Sequence, residues 1–115
     1  MNAQRITFRF GLTGRRWGVI GPVVLLLHAQ EASPARLEQF VEPLVSAGMQ
    51  VVALDDPTEL SSGRASRVTE FAVAITEAAV ELPALEAVIG EGLGSAAAAQ
   101  ALEHGLHVDH ALLMA

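Results

Sequence analysis

Cysteine and lysine are both missing from these 115 residues. Without cysteine there is no disulfide framework and no thiolate metal site, and the redox compartment goes unmarked. Without lysine there is no P-loop, whose lysine reaches the β- and γ-phosphates. Basic charge is scarce as well: seven Lys+Arg, all arginine, stand against thirteen Asp+Glu, for a net charge of −6. No basic stripe forms, which argues against a nucleic-acid partner. Long apolar runs are also absent. Val23 to Leu27 is far too short to span a bilayer, and the start, MNAQRITFRF, lacks the apolar core of a signal peptide. A cytoplasmic protein with no membrane partner is therefore expected. No repeat, linker or low-complexity segment divides the chain, so one unit is expected. Its 51% hydrophobic content is more than a domain of this size needs, which hints at a covered surface.

What is present is an alternation of strands and helices. Residues 5 to 10 alternate apolar and polar side chains, the period of a half-buried edge strand. Gly11 to Arg16 reads as a turn, and Trp17 to Ile20 as a second short strand ended by Gly21-Pro22. Val23 to Leu27 is apolar without alternation, as in a strand covered on both faces. Ser33 and Pro34 open a helix over 34–47, with Leu37, Phe40, Val41, Leu44 and Val45 as its core stripe. Pro43 should kink that helix or weaken its last turn, and Gly48 sits where a left-handed cap belongs. Val51 to Leu54 is the next strand. A helix over 67–82 carries Val68, Phe71, Ala72, Ile75, Ala79 and Leu82, and Pro83 stops it. Ala87 to Ile89 form a strand, 93–104 an alanine-rich helix, and Ala111 to Met114 a last strand. Strands and helices of these lengths imply right-handed crossovers and a mostly parallel sheet. Its N-terminal strands lie at one edge and Ala111 to Met114 at the other.

Ligands bind an open α/β sheet in the loops after its strands. Three such loops occur here: His28 to Ser33, Asp55 to Ser66, and Gly90 to Ser95. The last is the densest signal, Gly90-Glu91-Gly92-Leu93-Gly94 between an apolar strand and a small-residue helix. Glycines at alternate positions permit positive φ and a close approach of helix to sheet. A turn of this kind aims either a nucleophile or a phosphate-binding loop.

In order and spacing the three loops resemble the N-terminal half of the α/β-hydrolase fold, from Val23 to Ala115. The resemblance implies an α/β fold, a parallel-rich three-layer sandwich truncated after its sixth strand. Residues 1–115 would be one α/β-hydrolase-like domain lacking the C-terminal part. It matches His28-Ala29 to the family's His-Gly turn, and Asp55 through Gly63 to its Asp-x-x-Gly-x-Gly-x-Ser loop. Gly90 through Gly94 match its Gly-x-Ser-x-Gly nucleophile elbow. The implied roles are structural for His28 and Asp55, and oxyanion-like for the N–H groups of Gln30 and Leu93.

The departures fall where the chemistry should be. Gly92 holds the nucleophile's position, Ala29 replaces a glycine of the oxyanion turn, and Thr58 and Leu60 replace glycines of the middle loop. The family's acid and histidine would follow Ala115. Loss of a nucleophile alone costs about six orders of magnitude in rate, so no catalytic residue is assigned and no serine-hydrolase turnover is expected. Glu91 is one residue off the tip, and Ser95 lies inside the first helical turn. What survives is a place for a small acyl or anionic ligand.

The alternative is a Rossmann-like nucleotide module on Gly90, Gly92 and Ser95. Against it stand Glu91 beside the phosphate position and the turn's place late in the chain. His104, His107 and His110 lack zinc-site spacing, so neither metal nor cofactor is expected. Finally, Ala111 to Met114 would leave an open apolar edge. That edge points to a homo-oligomer, a complementary half-fold or a scaffold role.

Overall fold

A computed structural model describes residues 2–115. Its elements run β1 (Gln4–Thr7), a 3₁₀ turn (Arg9–Gly11), β2 (Thr13–Trp17), β3 (Val23–Leu27), α1 (Ala35–Glu38) and α2 (Val41–Ser46). They continue through β4 (Gln50–Leu54), α3 (Arg64–Val80), β5 (Leu85–Glu91), α4 (Leu93–Glu103) and β6 (Val108–Met114). One six-stranded sheet has the order β1-β2-β4-β3-β5-β6. The β1–β2 and β2–β4 pairs are antiparallel, while β3 pairs in parallel with both β4 and β5, and β5 with β6. This is the expected mixed, mostly parallel sheet, with the N-terminal hairpin at one edge and the last strand at the other.

The two central strands, β3 and β4, are apolar from Val23 to Leu27 and from Val51 to Leu54 because both of their faces are covered. On one face α3 and α4 lay Phe71, Ile75, Ala78, Ala97, Ala98 and Ala101 over Leu25, Leu27, Val52 and Val88. On the other, Leu37 of α1 and Val41 of α2 cover Val24, Leu26, Val51 and Ala53, with Trp17 closing one side. The alanines of α4 keep that helix close to the sheet, since past Leu93 its buried side chains are methyl groups alone.

Several boundaries differ from the expectation, each for a local reason. The first strand stops at Thr7; Phe8 turns into the core, and the chain reverses through Phe10 (φ 62°) and Gly11 (φ 79°). The expected turn at Gly11 to Arg16 is mostly β2. Its glycine is needed there, because a Cβ on Gly14 would stand 2.6 Å from the Ala53 carbonyl oxygen across the pair. Its arginines reach outward, Arg15 to Glu38 and Arg16 to Gln4. The strand expected over Trp17 to Ile20 is instead a turn bounded by Gly18 and Gly21, both at positive φ.

The helix expected over 34–47 is two pieces, α1 and α2, interrupted at Gln39 and Phe40. Proline has no N–H to offer the carbonyl four residues back, so the break falls one turn before Pro43, which sits in the tolerated first turn of α2. Gly48 (φ 91°) closes α2 as expected, with Met49 N–H donating to the Leu44 carbonyl. Among the described residues no helix is long and apolar enough to cross a membrane.

Candidate functional site

At the carboxyl ends of β3, β4 and β5 the three loops converge. The β5–α4 turn is built by its glycines, and they do different things. A Cβ on Gly90 would lie 2.9 Å from Ser95 Cα, and one on Gly94 would lie 2.3 Å from the Leu27 carbonyl oxygen. Those two glycines exist for close approach, of the turn to α4 and of α4 to β3. Gly92 is the opposite case. Its φ of 57° and ψ of −124° are a backbone state that side chains adopt at a cost, yet a Cβ there would meet nothing within 4 Å. The turn therefore holds a positive-φ tip, which glycine adopts freely, with open space above it and no side chain in that space. Its N–H donates to the Met114 carbonyl at 3.0 Å, which ties the tip to the end of β6.

Leu93 and Gly94 open the eleven-residue α4, and their N–H groups are among those a helix cannot satisfy internally. The helix dipole makes this end weakly attractive to an anion. Glu91 does not share the tip: it is buried, with Oε2 2.8 Å from Nε of Arg36 on α1. The contact is close but not aligned as a hydrogen bond, so Coulomb attraction is what holds it. Ser95 is half-buried in the first turn of α4.

The β3 loop starts against this turn, since the position of a Gly94 Cβ is 3.1 Å from the backbone nitrogen of half-buried His28. Gln30, expected to supply a second donor beside Leu93, gives its N–H to Asp56 Oδ2 at 3.2 Å, and its side-chain amide donates to the Thr58 carbonyl. Its hydrogen is spent on the neighbouring loop, so Gln30 and Leu93 do not form a free donor pair. Asp55 accepts from Thr13 Oγ1 at 2.7 Å and joins the ends of β2 and β4.

Beside these lies a charged cluster that residue spacing did not point to. Asp56 is fully buried and accepts four donors: Thr58 N–H and Oγ1 on one oxygen, Gln30 N–H and Arg67 on the other. Arg67 enters from the first turn of α3. Its Nε donates to Thr58 Oγ1 at 2.9 Å, and its two terminal nitrogens grip Glu31 Oε1 and Oε2 at 3.0 Å each. The hydrogen bonds from Arg67 hold the Glu31 carboxyl below its ordinary value, and those to Glu31 raise the guanidinium. One signal was legible: Arg67 is on the face shared by Phe71, Ile75 and Ala78, where a charge needs a partner. The partners are 11 and 36 residues away, so no short motif announces them.

The three histidines at spacing three go to three places. His104 Nδ1 lies 2.8 Å from the Gln100 carbonyl, His107 is 3.9 Å from Asp109, and His110 is 3.6 Å from Glu86. A groove of about 360 Å³ between α3 and α4, lined by Thr69, Ala72, Val73, Thr76, Gln100 and Ala101, uses none of the three loops.

Comparison with known proteins identifies the architecture. No family model matches the sequence, and no curated protein does. Solved structures match well. A thioesterase domain from the curacin biosynthetic pathway has a TM-score of 0.73 at 22% identity, covering 91% of this chain and 41% of that one. An α/β-hydrolase enzyme from a Moroccan lagoon-sediment metagenome reaches 0.76 at 17%, covering 94% and 49%. A laboratory-evolved variant of potato epoxide hydrolase reaches 0.77 at 14%, covering 96% and 39%. The chain thus has the α/β-hydrolase fold and spans less than half the length of these structures.

Proposed function

We propose that this chain is a non-catalytic α/β-hydrolase-like protein whose role is binding. The observation that carries the reading is Gly92. It keeps the positive φ of a nucleophile elbow and the open space above it, with no group there to attack a substrate. The elbow glycines on either side retain their packing role, so the scaffold of the turn outlasts its chemistry. What remains is the end of α4, a weak site for a small acyl or anionic group. The engagement of Gln30 by Asp56 supports the same reading, because a two-donor oxyanion site needs both hydrogens free.

A fluorophosphonate probe tests this directly, with short acyl nitrophenyl esters as a second substrate class. No labelling and no turnover above background are expected. Specific labelling that disappears in Ser95→Ala would overturn the reading, because that serine would then be the nucleophile.

One further observation supports a partner. In β6, Leu112 and Leu113 are 47% and 38% exposed, and among the described residues the strand's outer edge has no neighbour in the sheet. Exposed apolar edges of this kind associate. Pairing with a second copy or with a complementary half-fold follows, measured by light scattering at low micromolar concentration. A monomer of 12 kDa that melts cooperatively and binds no hydrophobic dye would refute it.

A further inference from the structure

The cluster around Arg67 contains one carboxylate more than it needs. Asp56 alone neutralises the arginine, and it is deeply buried with all its acceptor positions taken. Thr58 Oγ1 fixes Nε, so the guanidinium is pinned from behind by two residues and pinned along its stem by α3. Its remaining fork faces outward and is filled by Glu31. That residue is the more exposed member: its side chain is 52% exposed, it belongs to the β3–α1 loop, and Arg67 is the one side chain that its carboxylate hydrogen-bonds among the described residues. Arg67 by contrast is 9% exposed with Glu31 in place.

We propose that the Arg67 fork is a binding site for a small monocarboxylate, and that Glu31 is its tethered internal ligand. An incoming carboxylate takes the same two parallel N–H···O bonds as Glu31 swings into water. Bidentate arginine recognition is strong because both donors lie in one plane. The Glu31 arm it displaces makes the same two bonds, so the exchange is even at the guanidinium and the tether of Glu31 sets its balance. Charge selects the class of ligand. A monocarboxylate restores the charge that Glu31 supplied, whereas a phosphate dianion adds a further negative charge beside buried Asp56. The site stands apart from Gly92, and the two readings fail separately.

The test is Glu31→Ala in the full chain, titrated with sodium acetate against sodium chloride at matched ionic strength. The readouts are the Arg67 Nε–H resonance and the melting temperature. A saturable shift of that resonance is expected in Glu31→Ala. In the unsubstituted chain the apparent affinity should be about tenfold weaker, because the tether holds Glu31 at millimolar effective concentration or above. Inorganic phosphate should bind more weakly than acetate. A folded Glu31→Ala chain with no saturable shift would overturn the proposal, as would equal acetate affinity with and without Glu31, or phosphate binding as tight as acetate. Glu31→Ala/Arg67→Lys should lose the acetate response in melting, and its retention would also overturn the proposal. If that double variant does not fold, the Arg67 resonance of Glu31→Ala decides alone.

Discussion

Strand β3 and the stretch Ala111 to Met114 of β6 are written in nearly the same alphabet and live in different surroundings. Val23 to Leu27 are 0–1% exposed, whereas Leu112 and Leu113 of β6 stand at 47% and 38%. The difference is neighbours. β3 has a parallel partner on each side and helices on both faces, while β6 has one partner and little above or below it. Hydrophobic sequence therefore marks a strand that will be covered, and it does not say what covers it. For β3 the chain supplies the cover. For β6 the described chain does not.

The comparison breaks hardest in the core. Leu25→Ala should cost about 2–5 kcal/mol, a buried-leucine deletion with a cavity left behind, read by urea denaturation. A cost near that of a surface change would mean β3 is not the centre of the fold. Next is Gly94→Ala, which sets a methyl against the Leu27 carbonyl where only 2.3 Å is available. Backbone does not yield cheaply, so a loss of about 1–3 kcal/mol is expected, together with a shift of α4 visible in amide spectra. Gly92→Ser sits at the other glycine type. Space is free there, and the penalty is the positive φ alone, about 1–2 kcal/mol. If Gly92→Ser cost as much as Gly94→Ala, the division of labour among the turn's glycines would be wrong.

A smaller effect separates the loop after β3 from the bare end of β6. Arg67 depresses the Glu31 carboxyl in the folded chain. The stabilisation is thus fully present above the unfolded value, near 4.5, and is lost as pH falls through the lower folded value. Melting of the parent chain and of Glu31→Gln should differ near neutrality and converge as pH drops below that point. A gap independent of pH would show that the pair contributes nothing through charge. The smallest effect is Leu112→Ser. Within a monomer it should stay within about 0.5 kcal/mol, yet it should reduce light scattering if β6 is an association edge. A large loss of stability in the isolated chain would show that β6 is covered after all.

The parts legible in sequence were those whose cause is local. Val23 to Leu27 and Val51 to Leu54 announce themselves as buried parallel strands by having no polar position at all. The capping glycine Gly48 and the alternate glycines of the β5–α4 turn are equally local. The rest depended on partners remote in sequence. Gly14, Arg15 and Arg16 have turn composition, but the glycine answers a carbonyl on β4 and the arginines answer Glu38 and Gln4. Val108 to His110 continue β6 because β5 extends down to Leu85 beside them, and their own polarity conceals it. At the candidate site, Gly92 was readable from its position between two glycines. The bond of Asp56 to Arg67 crosses from one loop to a helix and has no spacing rule. The spending of Gln30's hydrogen on Asp56 follows from that same buried carboxylate.

The hydrogen bond from Gly92 to Met114 makes the turn a clock for the edge strand. The amide proton of Gly92 is shielded only while the last residues of β6 stay paired beside β5. Deuterium uptake at this single amide therefore times the detachment of β6. Whatever docks against that strand should slow the clock from a distance, without touching Gly92.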